Sequence, residues 1–178
     1  MVNPQENSDI AKMELANRLF FRLYQCANML HKTGTRAVEA QGLTTQQWAV
    51  LGALSRPEAA DGMSVGDLAR YLMVSRQNLS GLISRMERDG HLGSAPDGRD
   101  RRSRRITMTE SGREVWVNEA QPNIRRYYGQ ALAGFSVGDM AHTLHYLLKL
   151  LGNMQRLDEE GVAAAEDGHE ASDAATPG

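Results

Sequence analysis

Apolar positions recur at three- and four-residue spacing along most of this chain, broken by one short alternating run. Leu15, Leu19, Leu23, Cys26, Ala27 and Leu30 predict a helix from about Ile10 to Ala40, ended by Gly42. Thr44 or Thr45 then caps a short apolar helix, Gln46 to Leu54, which carries Trp48, Val50 and Leu51. A loop containing Pro57, Asp61 and Gly62 leads to Ser64-Val-Gly-Asp67, which has the form of a capping box. It opens a helix with Leu68, Ala69 and Leu72 facing inward. Met73-Val74 make a tight connection, and Ser75 caps a further helix to about Asp89, stopped by Gly90. The apolar positions of that helix are Leu79, Leu82, Ile83 and Met86. Two short helices joined by so brief a turn are the sequence form of a helix-turn-helix.

The period then changes to two. His91-Leu92-Gly93-Ser94 and Arg104-Ile106-Met108 read as the arms of a β-hairpin. Thr109 caps the next helix, with Glu110 in its first turn and Val115, Val117, Ile124 and Leu132 as its apolar face to about Ala133. Pro122 within that stretch predicts a kink or an interruption, because it lacks an N–H and its ring crowds the preceding turn. Ser136-Val-Gly-Asp139 is a second capping box. The helix it opens carries Met140, Leu144, Leu147, Leu148, Leu151 and Met154. Beyond Leu157 the apolar period is lost in favour of Ala, Gly, Asp and Glu, which predicts a disordered acidic tail.

The expected fold is mainly α with a small β-hairpin: a winged helix-turn-helix with a dimerisation bundle made of the N- and C-terminal helices. The expected organisation is an N-terminal dimerisation helix (1–42), a DNA-binding lobe (43–112), C-terminal dimerisation helices (113–157) and the tail (158–178). The first and last helices are longer than the central lobe can cover, so their apolar stripes call for a second copy. A twofold dimer would present two recognition helices about one turn of DNA apart, on a palindromic site.

Charge sharpens this picture. The net charge of −2 hides an asymmetry, since Asp158 to Gly178 holds seven acidic residues and no Lys or Arg. Residues 1–157 carry 20 basic and 15 acidic side chains, a net +5. Seventeen of the 20 basic residues are arginine, and five of them fall between Arg99 and Arg105. Guanidinium forks suit phosphate oxygens and narrow minor grooves. On the helix before the hairpin, Ser75, Arg76, Gln77, Asn78, Ser80, Gly81, Ser84, Arg85 and Arg88 form the polar side. Gln and Asn can pair bidentately with adenine and Arg with guanine, while Gly81 allows close backbone approach. Arg85 and Arg88, further along, suit phosphates.

Other chemistries find little support. A single cysteine, Cys26, excludes an internal disulfide framework and a cysteine-based zinc site. No apolar run approaches the ~18 residues of a membrane helix, and the polar N-terminus lacks the apolar core of a signal peptide, so the cytoplasm is the expected location. Without a nucleophile–base arrangement, phosphate loop or carboxylate pair, no enzyme is expected. No cofactor or metal is expected either. His142 and His145 lie at i, i+3, but no carboxylate accompanies them, which favours a capped or interface role.

Three segments together resemble the MarR family of transcriptional regulators: LTTQQWAVLGAL (43–54), SVGDLARYLMVSRQNLSGLISRMERDG (64–90) and DGRDRRSRRITMTESG (97–112). The family's wing pattern is matched by Asp100-Arg101-Arg102 and by Met108-Thr109-Glu110-Ser111-Gly112. The resemblance implies a homodimer joined through its first and last helices. It also implies that Arg101 or its neighbours Arg99 and Arg102 enter the minor groove, with Asp100 bracing the wing by pairing with an arginine. It implies, too, a pocket for a phenolic or aromatic acid between the dimer bundle and the DNA-binding lobe. Arg22, His31, Trp48, Met63 and Tyr71 are the candidate lining residues there, offering flat apolar walls with a cation or hydrogen-bond donor. Cys26 falls on the apolar stripe of the first helix, where burial would make it inert. The function expected is a dimeric repressor of a catabolic or efflux operon, released from a palindromic operator by a small aromatic effector. The alternatives are an effector-independent architectural or partner-recruiting DNA-binding protein, and an oxidant sensor acting through Cys26.

Overall fold

A computed structural model describes the backbone of residues 4–96 and 104–173 and the side chains of residues 8–96 and 104–161. The chain runs α1 (Pro4–Val38), α2 (Thr45–Leu54), β1 (Met63–Ser64), α3 (Val65–Leu72), α4 (Arg76–Arg88), β2 (Leu92–Pro96), β3 (Arg104–Met108), α5 (Glu110–Glu114), α6 (Gln121–Ala131) and α7 (Val137–Asp173). It divides into two compact units, Met1–Ala131 and Leu132–Gly178.

The first unit is the winged helix with α1 and α6 packed on it. Helix starts follow their caps. The Thr44 hydroxyl accepts from the Gln47 amide, and the Gln47 side chain accepts from the Thr44 amide at 2.8 Å, a closed capping box. Gly42, at φ 69°, ends the single 3-10 turn that follows α1. Ser64 accepts from the Asp67 amide, and Ser75 from the Asn78 amide at 3.2 Å. Between α3 and α4, Met73 takes a left-handed conformation, φ 55°, which closes the short turn.

The sheet has three antiparallel strands in the order β1-β3-β2. The hairpin register pairs Leu92 with Met108 and Ser94 with Ile106. The two-residue strand β1 pairs Met63 with Ile106 on the other edge of β3. Alternation buries Ile106 and Met108 against a core that includes Val38, Leu43, Val50, Leu51, Leu68, Leu79 and Met86.

Between α5 and α6 the backbone widens into a π-helical stretch, Val115–Ala120, just before Pro122. The Gln121 amide reaches the Trp116 carbonyl five residues back. The wider turn accommodates a proline that cannot continue an ordinary ladder. It also resets the helical phase. The buried residues fall every fourth position, at Gly112, Trp116, Ala120 and Ile124. The sequence period had placed Val117 inward, and Val117 is half exposed instead.

In the second unit the Ser136 hydroxyl and amide both donate to Asp139, at 2.7 and 2.9 Å, and open α7. These two bonds, the hydroxyl's first, hold the Asp139 carboxyl below its ordinary value. The helix does not stop at Leu157 as the apolar period predicts; its backbone stays helical to Asp173. Residues 159–166, EEGVAAAE, are rich in Glu and Ala, whose helix propensity needs no apolar face. Ile124 of α6 joins the core of the first unit and Tyr127 packs against it, so that unit extends to Ala131.

Candidate nucleic-acid interface

The side of α4 turned away from the core carries the residues expected to meet DNA. Leu79, Leu82, Ile83 and Met86 are buried. Ser75, Arg76, Gln77, Asn78, Ser80, Gly81, Ser84, Arg85 and Arg88 are exposed. The helix has 13 residues, so it is about 20 Å long, enough to lie in a major groove. Gln77, Asn78, Gly81 and Arg85 border a groove of about 480 Å³ that α2 closes with Gln46 and Ala49. Not every polar residue is free. The Ser80 hydroxyl donates to the Arg76 carbonyl at 2.7 Å. The Arg76 guanidinium lies across Gly66 of α3, where a Cβ would meet its Nη2 at 3.2 Å. The Arg76 side chain therefore lies against α3 as well as on the outer face of α4.

Asp67 in the first turn of α3 accepts from the Ser64 hydroxyl at 2.7 Å and pairs with Arg70 at 3.1 Å. The Ser64 hydroxyl, foremost, and then Arg70 and Arg105 hold its carboxyl below the ordinary 3.8. The contribution is therefore present above that value and is lost only as pH falls through the lowered one.

The arginine cluster divides into two parts. Arg99, Arg101 and Arg102, together with Asp100, lie outside the described residues. Arg104 and Arg105, the first two residues of β3, are engaged by the protein. Arg104 pairs with Glu87 on α4 at 3.6 Å and donates to the Ser94 hydroxyl across the hairpin. Arg105 donates from Nε to the Asp61 carbonyl at 2.9 Å and from Nη2 to the Gly62 carbonyl at 2.6 Å. These contacts fix the wing to the recognition helix and to the loop before β1. Arg105→Ala is expected to lower stability by about 1–2 kcal/mol in urea unfolding at fixed protein concentration, since it strands two carbonyls. An unchanged midpoint would show that the wing needs no such anchor.

The five ligand candidates are scattered. Trp48 is in the core, edge-to-face with Tyr127 at 6.0 Å and tilted against Tyr128 at 5.7 Å. Burial, foremost, lifts the Tyr128 phenol above 10.0 and keeps it neutral. Met63 is in β1 and packs on the core. Tyr71 is exposed on α3 beneath the Arg56 guanidinium, 4.6 Å from its ring centre. Arg22 and His31 are exposed on α1, and Arg22 donates to Gln25 at 2.7 Å. Helical phase alone does not say which residues of distant elements converge. Cys26, expected to be buried, is exposed, because this chain's own core does not reach that part of α1. His145 stacks edge-on against Tyr146 at 5.2 Å. No helix among the described residues is long and apolar enough to cross a membrane.

The sequence model of the MarR family matches residues 41–103, from the end of α1 through the recognition helix into the wing. A relative from Rhodopseudomonas palustris, the transcriptional activatory protein BadR, is 74% identical over 164 residues, covering 91% of this chain and 94% of its own. The chain belongs to the MarR family. The homoprotocatechuate degradative operon repressor of Escherichia coli is 32% identical over 126 residues, covering 70% of this chain and 82% of its own. Among solved structures, the Mycobacterium tuberculosis regulator MOSR in complex with DNA superimposes with a TM-score of 0.65 at 26% identity, covering 76% of this chain and 94% of its own. As a MarR-family protein the chain is a DNA-binding transcriptional regulator and not an enzyme.

Proposed function

We propose that this regulator works as a homodimer on a palindromic operator, with α4 in the major groove and the wing tip in the minor groove, and that a small aromatic compound controls it. The observation that carries the DNA geometry is the exposed face of Gln77, Asn78, Gly81 and Arg85 on a helix whose opposite face is core. The dimer is supported by apolar side chains left exposed in the single chain. Leu15, Leu19 and Leu30 on α1 and Leu144, Leu148 and Leu157 on α7 are between 46% and 67% exposed. Two long helices with bare apolar faces favour a partner.

Activation is the favoured sign for this chain, because the relative at 74% identity is a transcriptional activatory protein. Repression, the expectation from sequence, keeps the support of the Escherichia coli relative, whose name also carries an aromatic acid. The test pairs footprinting with run-off transcription from the protected promoter. Added protein is expected to raise the transcript; a fall assigns repression. Within the footprint, Arg101→Ala should weaken binding and reduce the slope of log affinity against log salt by about one. Absence of any protected palindrome would overturn the reading.

A further inference from the structure

We propose that Glu87 is a specificity-determining residue: it holds Arg104 on the protein and so limits sequence-independent binding of DNA by the wing. Glu87 is the one acidic residue of α4, RQNLSGLISRMER, where it stands among three arginines. It follows Ser80 by seven residues, close to two helical turns, so it sits at the edge of the outer face. A carboxylate in that place repels phosphates unless a cation accompanies it. The cation is Arg104, the first residue of β3, whose Nη2 lies 3.6 Å from Oε1 of Glu87. The same nitrogen donates to the Ser94 hydroxyl of β2. The guanidinium is thus turned toward α4 and β2, although the Arg104 side chain is 65% exposed. A pair so open to solvent adds little to stability. Its weight falls on the charge that the wing offers to DNA.

Five arginines lie between Arg99 and Arg105, and Arg104 is one of them. Each guanidinium that reaches a phosphate strengthens binding to every sequence alike, because all duplexes carry the same backbone. A regulator must find its site among a large excess of other sequences, so the ratio of operator to random affinity matters more than affinity itself. The Glu87–Arg104 pair withholds one such contact. It also ties the wing to the helix whose outer face carries Gln77 and Asn78. Neutralising Glu87 undoes both effects at once. It frees a cation for any duplex and loosens the wing that the operator complex needs in register with α4.

This inference rests on the proposed placement of α4 and the wing on DNA. Fluorescence anisotropy of the full chain over a salt series, on the footprinted operator and on a random-sequence duplex of equal length, tests it. Glu87→Gln is expected to tighten random-duplex binding about fivefold at low salt and to steepen its slope of log affinity against log salt by about one. The ratio of operator to random affinity should fall about fivefold or more, with the thermal midpoint in place. In an Arg104→Gln background the same Glu87→Gln change should leave the slope as it is, since the cation to be released is gone. An equal gain in both backgrounds would reduce Glu87 to a diffuse negative charge and overturn the inference. So would an unchanged slope, or an equal loss on both duplexes with a lowered midpoint. The random-duplex cycle separates this inference from the proposed function. If no palindrome is protected but that cycle shows the coupling, the operator reading fails and the Glu87–Arg104 restraint stands.

Discussion

Gly81→Glu is expected to abolish operator binding, by about 100-fold or more at moderate salt, while leaving the fold as stable as before or slightly more so. Gly81 lies in the middle of α4 on the exposed face, and a Cβ built there meets nothing within 4 Å. Glycine inside a helix costs about 0.5–1 kcal/mol relative to alanine, so a side chain at this position favours the folded state. Only a close external surface would explain keeping glycine there. In a major groove that surface is DNA, and the new carboxylate would stand against base edges and phosphates, where like charge costs several kcal/mol. Gly81→Ala supplies the graded case: a small stability gain with a smaller loss of affinity. Fluorescence anisotropy on the footprinted operator, with thermal unfolding alongside, reads both quantities. Full affinity in Gly81→Glu would remove α4 from the groove.

What could be read from the sequence was governed by local rules. Ser64, Ser75, Thr109 and Ser136 all act as caps where spacing alone put them, since a cap needs only its own first turn, and of the pair Thr44 and Thr45 it is Thr44 that caps α2. The helix-turn-helix followed from two capped helices joined by a brief turn, and the hairpin from the change of period after Gly90. Strand β1 was illegible because two residues cannot display alternation, and its pairing with β3 is a tertiary event. The phase of the helix after Thr109 was misread because the π-helical turn before Pro122 shifts it. The arginine run was legible as basic, but its division was not. Arg104 and Arg105 are held by Glu87, Ser94 and the carbonyls of Asp61 and Gly62, and the last two lie more than forty residues away.

Gly112→Ala gives the opposite sign to Gly81→Ala, although both lie in helices. A Cβ at Gly112 would sit 2.0 Å from the His91 carbonyl oxygen and 2.9 Å from its carbon. Those are backbone atoms and cannot swing aside as a side chain would. The junction is also fastened around that point. The Thr109 amide donates to the His91 carbonyl at 3.1 Å, and the Thr109 hydroxyl donates to the Gly90 carbonyl at 2.6 Å. The Gly112 amide in turn donates to Thr109 at 2.9 Å. A methyl group must therefore push the start of α5 away from the chain leaving α4, breaking these bonds as it does so. The expected loss is about 3 kcal/mol or more, a large share of a typical total of about 5–15. Helix propensity alone would give a gain of about 1 kcal/mol, so the sign of the measured change decides which effect governs. Urea unfolding followed by far-ultraviolet circular dichroism at fixed protein concentration measures it. A midpoint that rises or stays level would mean that α5 does not approach His91 so closely. A fall should bring operator affinity down with it, because the displaced segment carries both the end of the recognition helix and the first strand of the wing.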